Sequence, residues 1–375
     1  MTSEREIAPL DGVRVLDLTR VLAGPLCTMM LGDLGAHVIK VERPAAGDDT
    51  RGWGPPFDSR GESAYFLSVN RNKTSLAADL ADPADRALVG RLIGEADIVV
   101  DNFKRGALAR YGLDPGAIVA DRPALVWCTI TGFGADSDRP GYDFVVQAEQ
   151  GWMAITGEPA GAPMKVGVAL ADVVAGKDAA VATLGAFAGR LRTGCGGHVV
   201  VSLAHSATAA LVNVAQNALV TGGEVGRWGN AHPTLVPYEV FEASDRPMVL
   251  AVGNDAQWRA CAAALALDAL ADDARFMTNA ARVAHRDALV PLLAERLRTR
   301  PAAHWRAALD RAGVPNGVVR TVVEALRDVH GSALTGVPPA APGAVRLAPP
   351  RLDEHGEAIR RRGWAVFADL AASPA

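Results

Sequence analysis

The feature that most constrains the fold is a rhythm in the first 135 residues, where short β-branched runs alternate with helical stretches. Val13-Arg-Val-Leu16 gives way to a helical stretch from Cys27 to Leu34, then to Val38-Ile-Lys-Val41; the stretch Asp85 to Glu95 precedes Asp97-Ile-Val-Val100, and Leu125-Val-Trp-Cys-Thr-Ile130 closes the series. Strands that alternate with helices build a parallel, helix-covered sheet, so the expected class is α/β. Ligands of such sheets sit beyond the carboxyl ends of the strands. That directs attention to Asp17-Leu-Thr-Arg20, Glu42-Arg-Pro44, Asp101-Asn-Phe103 and Thr131-Gly-Phe-Gly134.

Further on, a helix is expected from Val173 to Arg192, then the turn Thr193-Gly-Cys-Gly-Gly197, the strand His198-Val-Val-Val-Ser202 and a helix from Leu203 to Thr221. The segment Gly222 to Pro237, rich in Gly, Asn, His and Pro, marks a boundary or a functional loop. A hairpin over Tyr238 to Val252 and amphipathic helices around Asp255 to Leu265, Arg286 to Arg298 and Ala302 to Ala312 follow. A chain of 375 residues suits one large and one smaller domain. Residues 1–221 are expected to form the N-terminal part of the large domain and 222–325 the small one. Residues 326–375 return to the large domain through the proline-rich stretch Thr335 to Pro350.

A net charge of −4 argues against a nucleic-acid partner, which normally meets a clear basic excess. The longest apolar stretch, Ala179 to Leu191, is interrupted by Gly185, Gly189 and Arg190. It falls short of the roughly 20 apolar residues of a membrane span. The opening Met1 to Ile7 is charged and has no apolar core, so no secretory signal is expected and the cytoplasm is the expected location. Cys27, Cys128, Cys195 and Cys261 form no CxxC pair, which disfavours a zinc site or a disulfide framework and leaves buried thiols.

No GxGxxG follows the first strand, and no Walker GK[ST], Gly-x-Ser-x-Gly or His-Glu-x-x-His occurs. Carboxylate chemistry remains. Asp172 lies between the apolar turn Val166 to Ala171 and the helix beginning Val173-Val-Ala-Gly176, a spacing that reads as a helix N-cap. The same place suits a reactive carboxylate, because a helix N-terminus stabilises negative charge and offers N–H donors to a developing oxyanion. Arg20, Lys40, Arg43, Arg71, Lys73, Lys104, Arg105 and Arg110 cluster near the strand ends. They could serve a multiply phosphorylated ligand, or form an ordinary solvated surface among equally frequent acids. His232, in Asn230-Ala-His-Pro233, reads as a loop histidine.

Taken in order, these segments resemble the class III CoA-transferase family, the formyl-CoA transferase and carnitine CoA-transferase group. The matching pieces are Leu10-Asp-Gly-Val-Arg-Val-Leu-Asp17, Val21-Leu-Ala-Gly-Pro25, Leu31 through Pro44, Gly47-Asp48, Thr50-Arg-Gly-Trp53, Asn70-Arg-Asn-Lys73, Asp101-Asn-Phe103, Thr131-Gly-Phe-Gly134, Gly141-Tyr-Asp143 and the Asp172 segment. Asn230-Ala-His-Pro233, Pro237-Tyr238, Asn254-Asp255, Phe276 to Arg282 and Ala312-Gly-Val-Pro315 continue the match over nearly the whole chain. The resemblance implies that Asp172 is the nucleophile, that Val21 and Ala23 line the CoA thioester region, and that Arg43 and Arg110 meet phosphates. Asn102 and Phe103 would contact the pantetheine or adenine portion, and Tyr142 and Asp143 would stand near the acyl group. The family fold implies a Rossmann-like large domain built from both chain ends, a smaller α+β domain, and two subunits interlocked as a homodimer. Leu22 stands where some members carry glutamine, and Gly229 to Pro233 stands about where some carry a glycine-rich loop.

The implied activity moves CoA from an acyl-CoA to a free carboxylic acid through an aspartyl-CoA thioester on Asp172. Coenzyme A enters as substrate, with no permanently bound cofactor or metal. The Arg20 to Pro25 run looks most like members using succinyl-CoA and dicarboxylic acceptors such as glutarate. Arg20 or Arg71 would then pair with the distal carboxylate, because arginine forms bidentate carboxylate contacts. An ordinary aspartate titrates near pH ~4, so Asp172 is expected to be ionised. Two alternatives stand beside this reading. The related 2-methylacyl-CoA racemases carry Gly-His-Asp where this chain has Gly141-Tyr142-Asp143, and a tyrosine, with a pKa near ~10, is a poor replacement base. A non-catalytic acyl-CoA-binding protein would keep Arg43 and Arg110 but tolerate loss of Asp172.

Overall fold

The structure, a computed structural model, describes residues 8–370; Met1 to Ile7, read above for a secretory signal, lies outside the described residues. Six strands, β1 (Arg14–Leu18), β2 (His37–Glu42), β3 (Lys73–Ala77), β4 (Ile98–Asp101), β5 (Val126–Thr131) and β6 (Gly197–Ser202), form one sheet in the order β3-β2-β1-β4-β5-β6. Every pairing is parallel, as the alternation of strands and helices requires. The order reverses between β1 and β4, and a crevice opens at such a reversal beyond the carboxyl ends of the strands.

Each strand sends alternate side chains to opposite faces. Val15, Val38, Ile98, Val100, Val126 and Cys128 join a core formed with Cys27 and Leu31 of the helix Ala23–Asp33 and with Ala171, Ala175 and Ala179 of the helix Leu170–Thr193. Leu16, Ile39, Val99 and Trp127 face the other way, toward Leu88 and Leu92 of the helix Pro83–Glu95 and Ile359, Trp364 and Phe367 near the chain end. Both faces are covered over β1, β2, β4 and β5, whose apolar stretches are buried, whereas β6 at the sheet edge is only partly buried, with Val200 41% exposed.

β3 is the exception. Its sequence, Lys-Thr-Ser-Leu-Ala, carries no apolar run, and the sequence reading places no strand there. All five residues are nevertheless buried, because each polar side chain meets a partner: Lys73 donates to Asp17, Thr74 to the Val38 carbonyl and Ser75 to Glu42. The returning C-terminal segment covers this edge, with the His355 N–H donating to the Ser75 carbonyl and Asp353 accepting the Ala77 N–H at 2.7 Å.

Two other expectations change. The helix expected from Leu203 to Thr221 is two, Leu203–Ala209 and Asn213–Thr221. The Trp152 indole donates to the Ala207 carbonyl, the Leu211 N–H turns to Thr208 instead, and Val212 adopts a left-handed φ of 43° that ends the first helix. Cys27, Cys128 and Cys261 are buried as expected, but Cys195 is exposed, in the turn where its N–H donates to the Thr193 hydroxyl.

The described chain packs as two units. Among the described residues, one draws on 8–152, Lys165–Gly223 and 329–370; the other draws on Met153–Met164 and Glu224–Asp328. In the second, the hairpin β7 (Tyr238–Glu242) and β8 (Pro247–Ala251) is joined by a short third strand, β9 (Asn316–Val318), antiparallel to β8. Phe241, Met248 and Leu250 pack against Trp258, Leu293 and Trp305 from the helices Asp255–Ala264, Arg286–Leu297 and Ala302–Arg311. Among the described residues no helix is long and apolar enough to cross a membrane.

Candidate active site

A cavity of about 190 Å³ lies beyond β1, β4 and β5, lined by Arg20 to Ala23, Asn102 to Arg105, residues between Thr131 and Tyr142, and Asp172. The expected nucleophile thus shares one space with Val21, Ala23, Asn102 and Phe103 of the expected CoA contacts. A neighbouring cavity of about 200 Å³ lies beyond β1, β2 and β3, with Leu18, Val41, Leu80, Phe103 and Tyr111 as apolar walls and Arg43 at its side.

Asp172 does not cap its helix. The helix starts at Leu170, so Asp172 occupies the first turn and no side chain of its own N-cap residue closes it. The cap comes from outside: Asp143 accepts the N–H of Ala171 at 2.8 Å and that of Asp172 at 3.4 Å. Gln147, fully buried, fixes this arrangement by donating to Asp143 and to the Val168 carbonyl while accepting the Val166 N–H. The Asp172 carboxyl is 8% exposed and accepts no hydrogen bond from the described residues. Burial first, and the Asp143 charge second, push it up to about 7. The expectation of an ordinary, fully ionised aspartate is therefore corrected: desolvation outweighs the helix terminus.

Opposite Asp172, the turn after β1 is tied by side chains. Asp17 accepts the N–H and hydroxyl of Thr19, and the Lys40 ammonium donates to the Thr19 carbonyl at 2.8 Å. Asn102 accepts the Arg20 N–H at 3.0 Å and donates to the Arg20 carbonyl at 2.7 Å, while Asp48 accepts the Val21 N–H at 3.2 Å. Val21 has a φ of 74°. A β-branched residue in that region is strained by about 1–3 kcal/mol, so the surroundings must hold it there. The ties rest on a buried ion network in which Lys40 meets Asp48 at 3.0 Å and Lys73 meets Asp17 at 2.9 Å. Burial alone would raise the Asp17 carboxyl, but Lys73, Lys40 and the Thr19 and Thr28 hydroxyls reverse this and hold it well below the usual carboxylate range.

The remaining expected residues divide. Tyr142 is exposed at the cavity wall, and Asp143 stands behind Asp172 rather than in the lining. Arg20 and Arg43 share one counter-ion, Asp49, which accepts from Arg20 at 3.0 Å and from Arg43 through its other oxygen. Arg110 is exposed on the turn Ala109–Tyr111 and lines neither cavity. Arg71 is 4% exposed and already committed: it forks onto both oxygens of Asp33 and donates to the Thr335 and Val337 carbonyls. The structure does not bring it to either cavity, and its work is to anchor the returning segment. In the second unit, His232 accepts the Thr234 N–H on Nδ1 and packs against Tyr238.

Sequence reasoning missed Tyr65. Burial first, then the charges of Asp172, Asp143 and Asp48, push its hydroxyl up to about 12, so it stays protonated within the field of Asp172. Its ring meets Trp53 edge-on at 5.2 Å. The motif Gly47-Asp48 gives no sign of the role of Asp48, because that role depends on a partner 27 positions away.

A sequence profile described as CoA-transferase family III matches residues 10–361. The succinate–glutarate CoA-transferase of Agrobacterium fabrum is 44% identical over 328 residues, covering 85% of this chain and 82% of that protein. The succinyl-CoA:glutarate CoA-transferase of Mus musculus is also 44% identical, covering 87% and 74%. The crystal structure of a CAIB/BAIF family protein from Brucella suis superposes with a TM-score of 0.85 at 42% identity, covering 97% of this chain and 99% of that one. With an aspartate on a helix start facing the crevice of a six-stranded parallel sheet, and a family profile spanning almost its whole length, the chain belongs to CoA-transferase family III.

Proposed function

We propose that this CoA-transferase moves CoA from succinyl-CoA to a dicarboxylic acid such as glutarate, through an aspartyl-CoA thioester on Asp172. The observation that carries the reading is the Asp172 carboxyl itself, free of hydrogen-bond partners among the described residues and facing the cavity that Val21, Ala23 and Phe103 line. The names of the relatives support the pair of acids.

A carboxylate oxygen of Asp172 attacks the thioester carbonyl, the C–S bond breaks, and a mixed anhydride and CoA thiolate form. The thiolate attacks the aspartyl carbonyl, releasing the donor as a carboxylate and leaving CoA on Asp172. The acceptor carboxylate attacks this thioester, CoA leaves again as thiolate, and the new anhydride hands its acyl group to CoA, regenerating Asp172. No proton, ATP or resident cofactor is consumed; covalent catalysis divides one exchange into smaller acyl transfers. A carboxyl titrating near 7 is a stronger nucleophile than an ordinary aspartate and is still about half ionised at neutral pH.

In this reading Val21, Ala23 and Phe103 flank the pantetheine arm, while Arg43 and the apolar cavity beside it receive the phosphate and adenosine end. Arg20 is the candidate for the acceptor's distal carboxylate, exchanging Asp49 for it. The working form is taken to be an interlocked homodimer in the cytoplasm.

The test is a panel of acids with succinyl-CoA, run beside Asp172→Ala. Glutarate and similar dicarboxylates should outrun monocarboxylates, and Asp172→Ala should lose transfer while still binding CoA. Equal rates with monocarboxylates sink the substrate assignment; turnover by Asp172→Ala sinks the nucleophile. Borohydride trapping during turnover should mark the peptide holding Asp172, and light scattering reports the dimer.

A further inference from the structure

A three-residue turn at the end of a central strand has no ladder to fix it, and a valine at a φ of 74° relaxes to negative φ unless it is held. In the turn Thr19 to Val21 the holding is done by side chains from three strands. Asp17 comes from β1, Lys40 from β2 with Asp48 just beyond it, and Asn102 from the residue after β4. Asn102 is the most specific clamp, because its amide oxygen and nitrogen read the N–H and the carbonyl of one residue, Arg20. Asp48 follows, accepting the Val21 N–H on both oxygens, at 3.2 and 3.3 Å.

The turn meets the helix that carries Asp172 through Ala23 and Gly24, at the start of the helix Ala23–Asp33. A Cβ added at Gly24 would lie 2.3 Å from the Thr19 Cβ, so the chain folds tightly back over the turn. A Cβ added at Gly176 would lie 2.6 Å from the Ala23 carbonyl oxygen. Gly176 follows Asp172 by four positions and shares its helix face. The clamped turn, the wall at Ala23 and the face bearing the carboxyl therefore form one stack without slack.

We propose that Asp48 and Asn102 are positioning residues for CoA transfer: by clasping Arg20 and Val21 they hold the strained turn so that the wall from Val21 to Ala23 stands at a fixed distance from the Asp172 carboxyl. This replaces the expectation that the Asn102 side chain serves by binding CoA. Its two amide atoms are spent on the backbone of Arg20. The inference rests on Asp172 as the nucleophile.

The experiment uses the full-length enzyme with Asn102→Ala, Asp48→Ala, Val21→Gly and the corresponding double variants. For each, kcat, the dissociation constant for CoA itself and the melting temperature are measured. Asn102→Ala should lower kcat on the order of 10- to 100-fold, the scale of a small misplacement near the reacting atoms, with CoA binding changed less than about threefold. Glycine adopts positive φ without strain, so in the Val21→Gly background the same substitution should cost less than about threefold. The cycle with Asp48→Ala repeats the measurement should Asn102→Ala fold poorly. An unchanged kcat in both clamp variants overturns the proposal. So does a loss of CoA affinity with kcat intact, which marks Asn102 as a ligand contact, or an undiminished penalty in the glycine background. Asp172→Ala runs in parallel: activity there overturns the nucleophile, whereas an inactive Asp172→Ala beside fully active clamp variants overturns only the positioning role.

Discussion

Asp143 accepts the backbone N–H of Asp172 at 3.4 Å and faces the same residue's carboxyl with a like charge. One side chain thus completes the helix start that presents Asp172, the proposed nucleophile, and helps keep its carboxyl protonated to an unusually high pH. The two effects separate on substitution.

Asp143→Asn keeps an acceptor for the first-turn amides and removes the charge. The active form of Asp172 is the carboxylate, so kcat/KM of the native enzyme should rise with pH and level off above about 7. In Asp143→Asn this limb should move down on the order of one pH unit, and no further, because burial is the larger cause and remains. A pH profile of kcat/KM with succinyl-CoA decides it; an unmoved limb removes Asp143 from the titration.

Stability should carry the same signature with the opposite consequence. The Asp172 carboxyl titrates higher in the folded state than its ordinary 3.8, so between 3.8 and about 7 the native state binds more protons than the unfolded chain. Stability is lost as pH rises through that window, and the full penalty is present above it. Asp172→Asn cannot ionise. Its advantage over the native enzyme in urea unfolding should therefore grow by about 2.6 kcal/mol between pH 5 and pH 8.

Arg71→Ala is expected to damage the fold and spare specificity. It would leave Asp33 buried without its bidentate partner and release the Thr335 and Val337 carbonyls. Stability should fall by about 3–5 kcal/mol, the scale of breaking a buried pair from one side. The ratio of rates with dicarboxylic and monocarboxylic acceptors, measured on the folded fraction, should not change, whereas Arg20→Ala should lower it.

Gly176→Ala tests the contact between the two helices behind the site. The added methyl would meet the Ala23 carbonyl oxygen at 2.6 Å, so the helices must part. Overpacking of this kind costs about 1–3 kcal/mol, and the displaced face carries Asp172, so kcat should fall together with the melting temperature. A variant as active and as stable as the native enzyme would show that the helices part without moving Asp172.

The α/β class was legible because β1, β2, β4 and β5 each carry a buried apolar stretch, Val15-Leu16, Val38-Ile39, Ile98 to Val100 and Val126 to Cys128. The same logic hid β3, whose buried polar side chains find partners on β1 and β2 that no local pattern reveals. Asp172, Val21, Ala23, Asn102 and Phe103 were all placed by ordered motifs and do line one cavity. Arg71 could not be assigned from its motif, because a buried arginine and a substrate-reading arginine look alike until the counter-ion is known. Tyr65 carried no signal at all.

The sequence by itself determined the sheet class and the strand ends at which to look, through periodicity, and its ordered motifs singled out Asp172 as the residue we propose for the chemistry. Tertiary structure alone decided what state that aspartate is in and what holds the wall facing it. Burial, the Asp143 charge and the clamps from Asp48 and Asn102 act between residues tens of positions apart in the chain. Electrostatic energy and backbone strain depend on distance in space, and only the folded chain sets those distances.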